Sequence, residues 1–492
     1  MKRLFFLLLL FFNTISIGFG ELSIQEKIEG RSRPSIFSPW SDWFVNKPDM
    51  PYAEMTAAHD LLFAQEFGLR FQRTGTDVQL AGDFIEARRQ RGELLELNPN
   101  MILLLDINLR RGYPDVQKDF YGGDFPWVRD ENENMIEENR EESSDAHRDF
   151  LIDFVDPIAQ EIIINQVVAV ANSGLWNGVF FDYWNEKGVI LGGFRTYEEE
   201  QAARTAILKG IRTVVGDDFL IIVNNPGTLT RAIPYINGIF IESFREELDD
   251  YQHAGLIEIE NSLLWAEKNL QEPQINALEA EGIGSQLPSS PENLKAMRCL
   301  TTLSLTHSDG YFLYTMGVQW DEPHPHDSAY LDYQGAAFRR NPRYWTKHRE
   351  NHNTFSHSHH HEHYYYDFWD AELSQPIGER GQTYNSIEGL FIREFTNGWA
   401  VYNRSGESQE ISLPIQTTGV ESGITSFKHT VPDLDGEMFL KTGVTADVNG
   451  DGVVNIQDLV IVANALGKAE PDVNGDGVVN IQDLVIVANA FE

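Results

Sequence analysis

The 492-residue chain has one cysteine, Cys299, and only 38 lysines and arginines against 75 aspartates and glutamates. A lone cysteine excludes an intramolecular disulfide, so the chain must be held by its core and by bound metal ions. Cys299 itself reads as a small buried hydrophobe. The shortage of basic residues leaves a formal charge of −37, which repels nucleic acid and anionic lipid and favours cations and neutral ligands. Long apolar runs are also missing: beyond the first twenty residues nothing is long and greasy enough to span a bilayer. What remains is core-forming. Hydrophobic residues at 42% and aromatics at 12% are ample for several packed domains.

Residues 1–20 open with Met1, Lys2 and Arg3, continue through a short apolar block from Phe5 to Phe12, and leave through Ser16, Gly18 and Gly20. That order is the pattern of a secretory signal peptide. The expected location is therefore secreted or extracellular, with cell-surface association open and no membrane attachment after cleavage.

The strongest signal is an internal repeat. The nineteen residues from Asp447 to Ala465 recur unchanged from Asp472 to Ala490, a period of 25. As a twelve-residue loop, the first copy supplies Asp447, Asn449, Asp451, Asn455 and Asp458, with Val453 offering only its backbone carbonyl and Gly452 at the sharp turn. The second supplies Asp472, Asn474, Asp476, Asn480 and Asp483, with Val478 and Gly477 in the matching places. Hard, oxygen-only ligands at this spacing suit calcium, one ion per copy. An apolar helical run follows each loop, and no helix precedes the first, so the unit is half an EF-hand repeated.

These repeats resemble type I dockerin repeats, over residues 445–492. The resemblance implies folding on Ca2+ and docking onto a cohesin-like or cell-surface protein. One departure concerns the partner. Loop positions 10 and 11, typically small hydroxylated residues in cellulosomal dockerins, are Ile456 and Gln457, and Ile481 and Gln482.

From residue 31 to 340, short β-branched or aromatic runs alternate with helical patterns, which predicts an α/β fold, a (β/α)8 TIM barrel. The expected strands are Ser35–Trp40, Leu69–Thr74, Met101–Ile107, Gly178–Tyr183, Phe219–Asn224, Gly238–Ser243, Gln274–Glu279 and Gly310–Thr315. Active sites of such barrels lie at the C-terminal strand ends. Those ends carry Asp106, Asp182, Asn224 with Asn225, Glu242 and Glu279. In NGVFFDYWNE a buried strand delivers Asp182 beside Tyr183 and Trp184, and NGIFIESF delivers Glu242 by the same grammar. Two carboxylates with aromatics beside them are the minimum machinery for cleaving a glycosidic bond.

The segments IFSPW at Ile36, GLRF at Gly68, DFVDP at Asp153, GLWNGVFFDYW ending at Trp184 and FTNGWAVYNRSG at Phe395 resemble the glycosyl hydrolase-like family 15 group of TIM barrels. The layout also resembles clan D barrels, which implies Asp182 as nucleophile after strand four and Glu242 as acid/base after strand six. Substrate contacts are expected from Tyr183, Trp184, Asp106, Asn224, Asn225 and Glu279, with Glu186 as a reserve carboxylate and Trp40, Trp43, Trp127 and Trp320 as further candidate stacking faces. The barrel is expected to need no cofactor.

Residues 341–440 are expected to hold a histidine-rich insertion, including His357, His359, His360, His361 and His363 in a solvent loop, and then a small antiparallel, β-sandwich-like domain. The whole reads as a secreted glycoside hydrolase acting on an oligo- or polysaccharide. The alternative is a catalytically inactive carbohydrate-binding or extracellular assembly protein with a calcium-dependent tail.

Overall fold

Apolar runs that open on an Asn or Gly and close on a polar residue form the staves of a barrel. A computed structural model describes residues 21–491 apart from 41–43, 45, 48, 64–65, 115–116, 139–147, 226, 316–362, 442–445, 447, 450–452 and 474–477. The parallel strands are β1 (Phe37–Ser38), β2 (Leu61–Leu62), β3 (Ile102–Asn108), β4 (Gly178–Asp182), β5 (Leu220–Asn224), β6 (Gly238–Ser243), β7 (Ala277–Glu281) and β8 (Tyr311–Thr315), adjacent in that order. A parallel bridge between Ile36 and Phe312 closes the ring.

The Asn openings have a mechanical reason. Asn177, Asn237 and Asn276 each precede a strand, and each side-chain carbonyl accepts the backbone N–H of a residue on the strand before it: Leu103 at 3.0 Å, Ile221 at 3.1 Å and Ile239 at 3.1 Å. These bonds pin the register. At Gly178 and Gly238 a Cβ would lie 2.2 Å from the Leu220 carbonyl oxygen and 2.1 Å from that of Ile275, so no side chain fits where the strands enter. The lumen is filled by Phe37, Phe63, Phe180 and Phe240, with Phe63 stacked on Phe180 at 4.3 Å between ring centroids. All four are fully buried, each stabilising by about 1.5–3 kcal/mol.

Two strand expectations are corrected. Leu69–Thr74 is not the second stave. Arg70–Thr74 pairs antiparallel with Asp77–Ala81, in a hairpin whose turn holds Gly75 at φ +62°. The true second strand is only Leu61–Leu62, too short to stand out as a run. The seventh strand is Ala277–Glu281 rather than Gln274–Glu279, because the Asn276 side chain serves as the latch at its entrance.

Five antiparallel strands follow: β9 (Leu390–Phe395), β10 (Gly398–Asn403), β11 (Gln409–Gly419), β12 (Thr425–Val431) and β13 (Asp435–Lys441), in the order β9-β10-β13-β11-β12. The expected sandwich is one sheet, and the last barrel helix, Pro291–His307, backs it. Arg298 of that helix pairs with Asp435 at 2.9 Å, and Arg404 donates from Nε and Nη2 to the two carboxylate oxygens of buried Glu260 of helix His253–Asn269. Of the histidine cluster, His363 is not in a solvent loop. It is fully buried, with its Nε2 2.8 Å from Nε2 of His59; His357, His359, His360 and His361 lie outside the described residues, as do residues 1–20.

In the tail, helices Ile456–Asn464 and Ile481–Asn489 start at Asn455 and Asn480 and share a small core of Val462, Val473, Val479 and Val487. No helix among the described residues is long and apolar enough to cross a membrane.

Candidate functional site

Parallel strands in register place paired residues on one face, and residues two apart on the same face. Phe180 and Phe240 face the lumen, so Asp182 and Glu242, one step nearer the C-terminal mouth on β4 and β6, face it too. Asn108 is the register partner of Asp182, and Glu279 that of Glu242. Asn224 at the end of β5 stands between the two acids.

The Asn224 amide joins them. Its Nδ2 donates to Asp182 Oδ1 at 3.0 Å and to Glu242 Oε2 at 3.0 Å. Two oxygens each 3.0 Å from one nitrogen are at most about 6 Å apart. Asp182 Oδ1 also accepts the Tyr183 N–H at 2.8 Å, and Oδ2 accepts Asn108 Nδ2 at 3.3 Å. N–H donors on both oxygens favour the ionised carboxylate. Tyr183 at φ +56° and Asn185 at φ +33° occupy the left-handed region immediately after it, strain of the kind that surrounding contacts must hold in place.

Asp106 lies one layer deeper, level with Phe180, and its Oδ2 accepts the indole N–H of Trp40 at 3.1 Å. Trp40 is half-buried above the phenylalanine plug, edge-on to Phe180 and Phe240. Glu279 is buried, and burial followed by the charge of Glu281 pushes its carboxyl well above the usual range. Beside Glu242, burial thus favours the neutral, protonated form of Glu279.

Other expected residues stand elsewhere. Trp184 is fully buried against Phe181 and offers no face to a sugar. Asn225 is fully buried, and its Oδ1 accepts the Glu186 N–H at 2.8 Å. Glu186 is itself a loop anchor, accepting the backbone N–H groups of Thr230, Arg231 and Ala232 at 3.0–3.3 Å. Trp127 is buried among Tyr121 and Phe125, while Trp43 and Trp320 lie outside the described residues. Tyr183 is at the mouth, its ring under the guanidinium of Arg111 at 5.1 Å and that of Arg110 at 5.3 Å, and burial pushes its hydroxyl up to about 12.

The arginines, with Glu138 at 3.1 Å from Arg110 and Asp149 at 3.5 Å from Arg111, were not foreseen. Nor were Asn108 and Glu281. Two-residue alternation could have found the last two, since Asn108 follows Asp106, and Glu281 follows Glu279, by one strand repeat.

In the tail, Asp458 and Asp483, the twelfth loop positions, are fully buried. Asp458 accepts the backbone N–H groups of Asn449 and Asn455, each at 3.0 Å, and Asp483 those of Val473 and Asn480, each at 2.7 Å. The Asn455 N–H, first among several such bonds, holds the Asp458 carboxyl below its usual value. The Val453 and Val478 carbonyls meet the side chains of Asn455 and Asn480 at 3.1 and 3.2 Å. Buried carboxylates folded into an all-oxygen donor loop fit a hard cation such as calcium. Asp447, Asp451, Asn474 and Asp476 lie outside the described residues, while Asp472 opens the second loop.

The family model described as Dockerin type I domain matches residues 445–492. The chain carries a C-terminal dockerin domain. Type I dockerin domains bind calcium and take cohesin partners. None of the curated proteins matches the chain. Solved structures similar to it include a maltogenic alpha-amylase from Thermotoga neapolitana, at 12% identity over 82% of this chain and 98% of that one with a TM-score of 0.41. An alpha-amylase from Malbranchea cinnamomea matches at 11% identity over 88% and 99% with a TM-score of 0.42. A GH36 alpha-galactosidase from Geobacillus stearothermophilus matches at 11% over 83% and 56% with a TM-score of 0.38. Scores in this range leave the barrel's chemistry to its own side chains.

Proposed function

We propose that the barrel is a secreted glycoside hydrolase of the glycosyl hydrolase-like family 15 group, cleaving O-glycosidic bonds in an oligo- or polysaccharide with retention of configuration. The observation that carries the reading is the Asn224 amide nitrogen shared by Asp182 and Glu242. One oxygen of each acid, Asp182 Oδ1 and Glu242 Oε2, thereby lies within about 6 Å of the other, which supports a retaining spacing over the roughly 6.5–9.5 Å an inverting pair needs for an interposed water.

In this reading Asp182 attacks the anomeric carbon while Glu242 gives its proton to the leaving oxygen, so a glycosyl ester forms as the glycosidic bond breaks. Glu242, now ionised, takes a proton from water, which attacks the same carbon and frees Asp182. Trp40 offers an apolar floor, and Tyr183 and Asp106 border the site. The dockerin domain tethers the enzyme to a cohesin-like or cell-surface protein. One calcium ion would sit in each loop, held by the oxygens of Asp447, Asn449, Asp451, Val453, Asn455 and Asp458 and by their counterparts in the second copy. Bound calcium would balance the loop carboxylates and fasten each loop to its helix.

The test is hydrolysis of a panel of polysaccharides and aryl glycosides in excess calcium by wild type, Asp182→Asn and Glu242→Gln. Turnover abolished by Asp182→Asn and impaired by Glu242→Gln supports the reading. Turnover indifferent to both, or none on any substrate, would sink it in favour of a binding or assembly protein.

A further inference from the structure

We propose that Asn108, at the end of β3, is a positioning residue for the Asp182 nucleophile and couples it to the arginine turn that follows; the inference rests on the reading of Asp182 just given. One planar amide does both jobs. Its Nδ2 donates to Asp182 Oδ2 at 3.3 Å, while its Oδ1 accepts the backbone N–H groups of Arg110 and Arg111, each at 3.0 Å. The Leu109 N–H donates to the Asp182 backbone carbonyl at 3.3 Å, so the turn is fastened to the nucleophile's strand by backbone as well as side chain.

The turn matters because of what it presents. Arg111 is 3% exposed, lies over the Tyr183 ring at 5.1 Å, and reaches Asp149 at 3.5 Å and Glu138 at 3.8 Å. The charge of Asp182 is among the groups that hold the Arg111 guanidinium in its protonated form. Asn108 thus orients the carboxylate directly and fixes the backbone from which a buried cation acts on it. Asp182 ends a strand whose next residue is in the left-handed region, a conformation that survives only where neighbours over-determine it.

Asparagine suits this place because its amide carries donor and acceptor together. Aspartate at 108 could still accept from Arg110 and Arg111, yet would turn a donor toward Asp182 into a second carboxylate. Like charges at such range raise the protonation midpoint of the pair. Alanine would keep neither bond.

The experiment compares pH profiles of kcat/KM for wild type, Asn108→Asp and Asn108→Ala on one hydrolysed substrate. Asn108→Asp is expected to move the acidic limb upward by about one pH unit or more, with activity recovering above the new limb. Asn108→Ala is expected to lower kcat by about 10–100-fold while KM stays within about threefold, the signature of a misplaced reacting group. Thermal unfolding of each variant separates this from misfolding, and the isosteric Asn108→Asp decides the matter should Asn108→Ala not fold. An acidic limb unmoved in Asn108→Asp overturns the inference and leaves the hydrolase reading standing. Should wild type show no turnover dependent on Asp182, that reading fails instead. The Asp182 titration, followed by carboxyl 13C NMR and assigned against Asp182→Asn, then decides the part that stands without turnover, the coupling of Asn108 to the Asp182 carboxylate: an upward shift in Asn108→Asp supports it and an unchanged midpoint overturns it.

Discussion

Replacing Glu242 by glutamine keeps an oxygen to accept the Asn224 N–H, which now lies 3.0 Å from Glu242 Oε2, and so preserves the local geometry while removing the proton. For a substrate with a basic leaving group, loss of the general acid is expected to lower turnover by about 10²–10⁴-fold, equivalent to about 2.7–5.4 kcal/mol of barrier. An aryl glycoside with a strongly acidic phenol needs no protonation to depart. Its first step is expected to be nearly normal, followed by a stall, because the water attack that needs Glu242 as base is slow. The glycosyl ester on Asp182 should then accumulate, visible as a burst and as added mass on the peptide containing Gly178–Asp182. Azide, which needs no base, should restore turnover and yield a glycosyl azide of retained configuration. For wild type, proton NMR of the first product should show the substrate's anomeric configuration, as expected where Asp182 Oδ1 and Glu242 Oε2 lie within about 6 Å of each other. An inverted first product, or a Glu242→Gln variant slowed equally on every leaving group, would refute the reasoning.

Trp184→Phe is expected to cost about 0.5–3 kcal/mol of stability, measured by denaturant unfolding, with KM within about twofold of wild type, since the ring is core rather than sugar platform; a large KM change with unchanged stability would return it to the site. Glu279 has a folded pKa raised above its unfolded value, so its contribution to stability is full below the unfolded midpoint near pH 4 and is lost as pH rises through the folded one. Melting temperature is therefore expected to fall with rising pH above that midpoint, and less steeply in Glu279→Gln; parallel profiles would contradict the upward shift of the buried carboxyl. Asp483→Ala removes the acceptor of two loop N–H groups along with a proposed ligand, and on that proposal should reduce calcium stoichiometry in calorimetric titration from two ions to one per chain. Two ions bound with unchanged heat would exclude the loop assignment.

The dockerin repeats and the barrel strands were legible in the residues for the same reason: both are local patterns. The loop acids and amides recur at fixed offsets within twelve residues, and the strands Gly178–Asp182 and Gly238–Ser243 announce themselves as apolar runs opened by Asn-Gly and closed by an acid. Charge, the lone cysteine and the repeat were equally readable from composition alone. Leu61–Leu62 escaped notice because a two-residue stave carries no periodicity, while Arg70–Thr74 has strand propensity and spends it in a hairpin.

What the residues in order could not express is which neighbours a strand end acquires. Trp184 and Asn225 sit close to Asp182 and Asn224 in sequence, yet both lie past the strand ends, where the left-handed turn at Tyr183 takes Trp184 into packing against Phe181 and Asn225 into a bond with the Glu186 loop. Closing the ring brings Asn108, Asp182, Asn224 and Glu242, more than a hundred residues apart at the extremes, onto one hydrogen-bonded arc. Only that closure buries Glu279 and so decides its protonation, because desolvation depends on what surrounds a group rather than on what precedes it. The amino-acid order determined the repeat, the strand grammar and the supply of acids; the tertiary structure decided which acids face each other, since that depends on register and face across strands the chain reaches only after long helical crossovers.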